Sequence, residues 1–267
     1  MLLTNMDTKA LAREIVEGMR LGLPALPGTT AVVRSVCVCG SYVRGDFIDH
    51  NSDLDLLIVL SPHRADTGGV PENEAVRDVQ AMATRFLANR VLYSHNPRQF
   101  DWLVAPWEAI PKRTEDYRIP DGRPGIALLG VFAFDLLDYL NVLWGDDPRT
   151  AMATPPPFNR LARGWFDSIG AARDRYGRAS QPWRIAFSAF KSAQVAQIVF
   201  GEQTLDKRRL PELYRQYVPD FPLKAFGQRM ITDKLEARYP DRPCQFATWD
   251  EYASFEDELA ALAKAHL

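Results

Sequence analysis

Histidine and cysteine are scarce in this chain, four and three among 267 residues. The cysteines form no C-x-x-C pair and His50, His63, His95 and His266 have no ligand spacing, so neither a disulfide framework nor a zinc site is expected. Cys37 and Cys39 alternate with Val36 and Val38 in an apolar stretch, as small core residues do, and a reducing, cytoplasmic setting fits them. Charge of either sign is also not in excess: the net charge is −2. That argues against a dedicated nucleic-acid coat, which would be strongly basic. It leaves room for a local basic patch at Arg160, Arg163, Arg173, Arg175 and Arg178, or at Arg208, Arg209 and Arg215. Residues 1–27 lack a basic segment followed by an apolar core and a cleavage site, so secretion is not expected. The most apolar run, Gly125 to Trp144, is interrupted by Asp135 and Asp138, three apart as on a helix face. A buried helix accounts for it better than a membrane span. Internal repeats and low-complexity tracts are absent.

What is present is concentrated between residues 40 and 59. Gly40-Ser41 forms a small-residue turn, eleven residues follow, and then Asp53-Leu54-Asp55 heads the apolar run Leu56-Leu57-Ile58-Val59. A Gly-Ser pair lets backbone N–H groups approach a phosphate closely. On a strand, the period of two sends Asp53 and Asp55 to one face. Two carboxylates so close repel each other unless a cation sits between them. Oxygen ligands of that kind suit Mg²⁺, completed by substrate phosphates. The alternative is an exposed turn leading to a strand with two solvated carboxylates, which fits poorly with a strand otherwise patterned for burial.

Around this motif the pattern alternates between helix and strand. Thr8 to Leu21 reads as an amphipathic helix ended by Pro24 and Pro27. Ala31 to Cys39 reads as a strand, Ser41 to Gly45 as a short helix aimed at a phosphate, and Asp53 to Leu60 as a second strand. His63 to Pro71 reads as a loop, Asn73 to Asn89 as a helix, and Gln99 to Val104 as a third strand containing Asp101. Beyond this the chain turns helical. Ile126 to Trp144 is expected as one helix stopped by Gly145, and Thr154-Pro155-Pro156-Pro157 as a stiff linker. Helices are expected at 159–176, 182–200, 207–217 and 222–239, with a last amphipathic one from Trp249 to His266. The fold class expected is α+β: an α/β domain over 1–150 with a short mixed sheet, then an all-α bundle over 151–267.

The Gly40-Ser41 turn, the spacer with Arg44-Gly45-Asp46 and Ser52, and Asp53-x-Asp55 in a strand together resemble the nucleotidyltransferase superfamily related to DNA polymerase beta. The resemblance implies Asp53, Asp55 and Asp101 as catalytic carboxylates holding Mg²⁺, two ions in all. Gly40, Ser41, Arg44 and Ser52 then belong to the nucleotide site. Asp101 would complete a second metal or accept the acceptor's hydroxyl proton. In the aminoglycoside enzymes of this superfamily a Glu commonly serves as that base, and no Glu stands beside Asp101 here. Base and acceptor therefore both stay open.

The second half is similar, in pattern alone, to the helical bundle of two-domain aminoglycoside adenylyltransferases. There a basic residue in a helix ending at Gly, and a Lys a few residues later, reach ATP phosphates. By position these are Lys191 and Lys207. For Lys191, a stem that snorkels to water is the competing account; for Lys207, a solvated cluster with Arg208 and Arg209. "Leu-Trp-Gly-Asp-Asp-Pro-Arg" (143–149) resembles the end of the helix that joins the two domains. Trp165, Asp167, Tyr176 and Trp183 offer residue types that suit a polycationic acceptor. The activity implied is transfer of a nucleoside monophosphate, AMP from ATP or from another NTP, to a hydroxyl-bearing small molecule such as an aminoglycoside-like antibiotic. The rival is a tRNA or protein acceptor, as in toxin–antitoxin systems; a catalytically silent nucleotide-binding protein is a third class. Oligomeric state stays open, and no membrane partner is expected.

Overall fold

The structure is a computed structural model of the chain. It describes residues 32–48, 52, 54–61, 100–107, 110–114, 117, 137–176, 182–236 and 248–267. The helices expected over 8–21 and 73–89, and the loop over 63–71, lie outside the described residues, as does Asp53. The chain divides into two compact units, and among the described residues the boundary falls between Thr154 and Pro155.

The first unit is built on a four-stranded mixed sheet in the order β3-β2-β1-β4. Strand β1 (Val32–Cys39) pairs antiparallel with β2 (Leu54–Ser61), and β2 pairs parallel with β3 (Phe100–Pro106). Val36, Cys37 and Val38 on β1 and Leu56 to Val59 on β2 are all buried, so both faces of the two central strands are covered. That is why these strands read as continuous apolar runs rather than alternating ones. Between them the helical turn α1 (Ser41–Arg44) starts at Gly40 and is closed by Gly45 in the left-handed region.

The expected helix from Ile126 to Trp144 is corrected at its C-terminal end, while residues 126–136 lie outside the described residues. Helical geometry is present at Leu137 and Asp138, and then Asn141–Gly145 forms β4, an antiparallel partner of β1. A short apolar run such as Val142-Leu143-Trp144 has no periodicity that separates helix from strand. Pairing with β1 decides it. Gly145 is a true stop, but of a strand: its φ is +80°, and a Cβ there would run into the Arg34 carbonyl. The 143–149 segment is therefore not a helix end. Arg34 Nε donates to Asp146 Oδ2 at 2.8 Å, and Asp147 caps a 3-10 turn, Pro148–Ala151, by accepting from the Arg149 N–H. The guanidinium of Arg34 also lies 3.4 Å above the Trp107 ring centre. The start of the linker is held to this unit: Ala153 N–H donates to the Pro111 carbonyl and Thr114 Oγ1 to that of Thr154.

The second unit is helical: α2 (Phe158–Tyr176), α3 (Pro182–Phe200), α4 (Leu210–Tyr217), α5 (Lys224–Glu236) and α6 (Trp249–His266). Helix α3 packs against each of the other four. Its stretch from Ser192 to Ile198 is buried throughout, as befits a central helix rather than an amphipathic one. By contrast α6 buries one stripe, Tyr252, Phe255, Glu256, Leu259, Ala260 and Ala263, at the helical repeat. Helix α4 begins three residues later than expected, because residues 207–209 form a turn. Among the described residues no helix is long and apolar enough to cross a membrane.

Candidate active site

The site grows out of the β1–α1 junction. Gly40 has φ +70° and ψ −149°, a conformation open only to glycine. A Cβ there would fall on the carboxylate of Asp55, whose Cγ lies 3.0 Å from that position. The absence of a side chain at Gly40 is thus what admits Asp55. Cys39 Sγ donates to the Asp55 carbonyl at 3.6 Å, fastening the end of β1 to the start of β2. The parallel register sets Asp101 on β3 directly beside Asp55 on β2. Gly40, Asp55 and Asp101 are brought together by this sheet geometry.

Ser41 is buried at the head of α1, and Gly40 provides no side-chain cap. The first-turn N–H groups of a helix have no acceptor within it, which suits them to an anion. Ser52 is buried too, and its hydroxyl accepts from the Ile48 N–H at 2.8 Å while its own N–H donates to the Ile48 carbonyl. The serine therefore latches the spacer just ahead of Asp53. Arg44 is engaged with Asp46, Nε to Oδ1 at 3.2 Å and Nη2 to Oδ2 at 3.3 Å, a two-pronged pair with Asp46 2% exposed. Asp46 is the residue to which sequence reasoning gave no role of its own. Its signal was the Arg-Gly-Asp run, in which Gly45 turns the chain so that the two charges meet.

Lys191 and Lys207 belong to the second unit. Lys191 is half-buried on α3, and Lys207 is half-buried in the loop before α4. Asp167, offered for a cationic acceptor, is ion-paired with Lys264 at 2.7 Å. Trp165 is half-buried on α2, while the side chains of Tyr176 and Trp183 lie outside the described residues.

Carboxylate oxygens are the donor set that Mg²⁺ takes, with remaining positions left to water or phosphate. The carboxylate of Asp55, beside the bare α-carbon of Gly40, is a donor of that kind, and the backbone of Asp101 stands in register with it on β3. Among the described residues no cluster of three or more His, Cys, Asp or Glu forms.

A protein family described as nucleotidyltransferase domain matches residues 26–111. The N-terminal part of this chain is a nucleotidyltransferase domain. It is the domain of enzymes that transfer nucleotidyl groups, and it spans β1, α1, β2 and β3 with Gly40, Asp55 and Asp101. Among solved structures, the spectinomycin adenyltransferase AAD(9) from Enterococcus faecialis, crystallised with ATP and spectinomycin, is similar over 97% of this chain and 100% of that one. The TM-score is 0.59 at 13% identity, a likeness of fold that includes the helical part. No curated protein matches by sequence.

Proposed function

We propose that the chain is a Mg²⁺-dependent adenylyltransferase, moving AMP from ATP to a hydroxyl of a small molecule of the aminoglycoside or aminocyclitol kind and releasing pyrophosphate. The observation that carries this is the seating of Asp55 against Gly40 with Asp101 in register, inside a nucleotidyltransferase domain. The fold likeness to an adenyltransferase crystallised with ATP and spectinomycin supports the choice of donor and of acceptor class.

Asp53, Asp55 and Asp101 would hold the metal. Bound Mg²⁺ supplies neutralisation of the phosphates and of the charge that develops during in-line transfer. Gly40 and Ser41 bind phosphate through backbone N–H groups, which cost no reorganisation because the turn is fixed by Gly40 and Gly45. The Arg44–Asp46 pair and the Ser52 latch hold the spacer that leads to β2, and so the approach of Asp55 to that turn. Lys191 and Lys207, both on the helical part of the chain, are assigned to the triphosphate. Asp101 either completes the metal set or takes the acceptor's proton. A role in antibiotic resistance, at work in the cytoplasm, follows if the acceptor is such a drug.

The test is pyrophosphate release from each NTP with Mg²⁺ across a panel of aminoglycosides and aminocyclitols, with the acceptor's mass followed for one added adenylyl group. Release dependent on ATP and on one of these acceptors supports the proposal. Release only with tRNA or protein in the panel would move the acceptor to a macromolecule, and no release with any acceptor would sink it.

A further inference from the structure

Lys207 is not on a loose loop. Residues 202–209 are held by a network of hydrogen bonds and one ion pair. The ends are clamped by Glu202 and Arg209, paired through two contacts of 2.6 and 2.7 Å. The Thr204 hydroxyl accepts the Asp206 N–H at 3.2 Å, and Asp206 Oδ1 accepts the Arg208 N–H at 2.9 Å. The Arg209 N–H donates to the Asp206 carbonyl, which puts Lys207 at the first corner of a tight turn. Two glutamines then tie this loop to α3. Gln194 Nε2 donates to the Leu205 carbonyl at 2.8 Å, and Gln197 Nε2 to the Glu202 carbonyl at 2.6 Å.

Both glutamines are buried, 3% and 1% exposed, on the helix that carries Lys191. Gln194 lies one turn after Lys191, and residues three apart on a helix are neighbours. Its Oε1 is buried and accepts no hydrogen bond among the described residues. Gln194 thus pairs the Leu205 carbonyl, which an apolar residue of the same shape would leave without its donor, at the cost of one buried amide oxygen that has no partner among the described residues. What Gln194 provides that an apolar residue does not is a fixed link between the Lys191 helix and the Lys207 turn.

We infer that Gln194 is a positioning residue for the nucleotide's phosphates: its amide, through the Leu205 carbonyl, holds Lys207 at a set distance from Lys191. This rests on the proposed assignment of Lys207 to the triphosphate. Gln197 acts on the same loop further from the turn, at Glu202.

A double-mutant cycle on the full chain tests it, with MgATP affinity read by calorimetry and KM for ATP and for the acceptor read separately. Gln194→Met keeps the shape and removes the donor. Thr204→Val loosens the same turn from outside the core, which covers the case in which Gln194→Met fails to fold. Each is expected to weaken ATP binding about tenfold, leaving acceptor KM within twofold, and to have no further effect in a Lys207→Ala background. If Lys207→Ala itself leaves ATP affinity unchanged, the phosphate assignment of Lys207 fails and this inference goes with it. If Lys207→Ala weakens ATP binding while both loop variants bind ATP as the parent does, or weaken it by the same factor in both backgrounds, Lys207 keeps its role and Gln194 is structural only.

Discussion

The carboxylate of Asp55 stands in the space that a side chain on Gly40 would need. One residue is bare so that another can reach the turn, and the two are fifteen positions apart in sequence. Gly40→Ala therefore meets two obstacles: a backbone conformation costing about 1–3 kcal/mol for a residue with a Cβ, and displacement of Asp55. The expected result is a folded protein with a lowered Tm and no measurable nucleotidyl transfer. Circular dichroism alongside the pyrophosphate assay checks it; a variant with normal turnover would show that Asp55 need not sit there.

Replacing the charge without the shape isolates chemistry from packing. Asp55→Asn, and equally Asp53→Asn, should reduce turnover by roughly 100- to 1,000-fold or more, the scale of losing one electrostatic contact made at the reacting group. Asp55 is half-buried at the start of β2, so the unfolding midpoint should shift little. If both variants turned over as the parent does, the carboxylates would not be holding a catalytic metal.

Arg44 and Asp46 form a different kind of pair, nearly buried, with side chains 11% and 3% exposed. Arg44→Lys keeps the charge but loses the two-pronged geometry. Hydrogen bonds to charged groups contribute about 1.5–3 kcal/mol each, so unfolding stability should fall by roughly 1–3 kcal/mol. Because the pair fixes the spacer, kcat should fall as well, with KM for ATP less affected. A large rise in KM at unchanged stability would instead assign Arg44 to the phosphates directly.

Much of the first unit was legible because its signals are local. The Gly40-Ser41 turn, the β-branched run before it and the apolar run after Asp55 each state their own conformation. The β4 edge strand was not legible, since Val142-Leu143-Trp144 suits either period and the decision lies with β1, a hundred residues earlier. Gly145 was recognised as a terminator, but of a helix, where it ends a strand. In the second unit the amphipathic helices followed from their periodicity, α3 being the one buried too evenly to show it. Gln194 and Gln197 did not stand out, because a glutamine in a helix looks like a solvated face until the loop that it holds is folded over it. Ser52 was picked out by the motif, but its latch on Ile48 depends on the fold of the spacer.

Helix α6 begins with a reciprocal cap: Thr248 Oγ1 accepts the Glu251 N–H, and Glu251 Oε2 accepts the Thr248 N–H at 3.0 Å. The cap holds Glu251 below the usual carboxylate range. Thr248→Ala should cost about 1 kcal/mol, a drop of a few degrees in Tm, with ATP affinity unchanged. A loss of ATP affinity would mean that this helix end takes part in binding.

Cys37 gives the alkaline limit of the first unit. Its thiol is fully buried on β1, the strand paired with β2 and β4, and burial pushes its pKa from 9.0 up to about 11. The native state then keeps a proton that the unfolded chain gives up at lower pH, so the contribution is intact below pH 9 and is lost as pH rises through 11. Two units correspond to about 2–3 kcal/mol. Tyr214, buried in the helical unit, is shifted in the same direction and adds to the fall at still higher pH. Urea unfolding between pH 8 and 11 should show stability declining steadily, and Cys37→Ala should flatten that slope by one proton while leaving the Tyr214 part. In the native protein at pH 8, Cys37 should resist thiol reagents and react only after unfolding. Fast labelling of Cys37 in the folded state would show that the strand opens locally, and the pH slope would then lose its explanation.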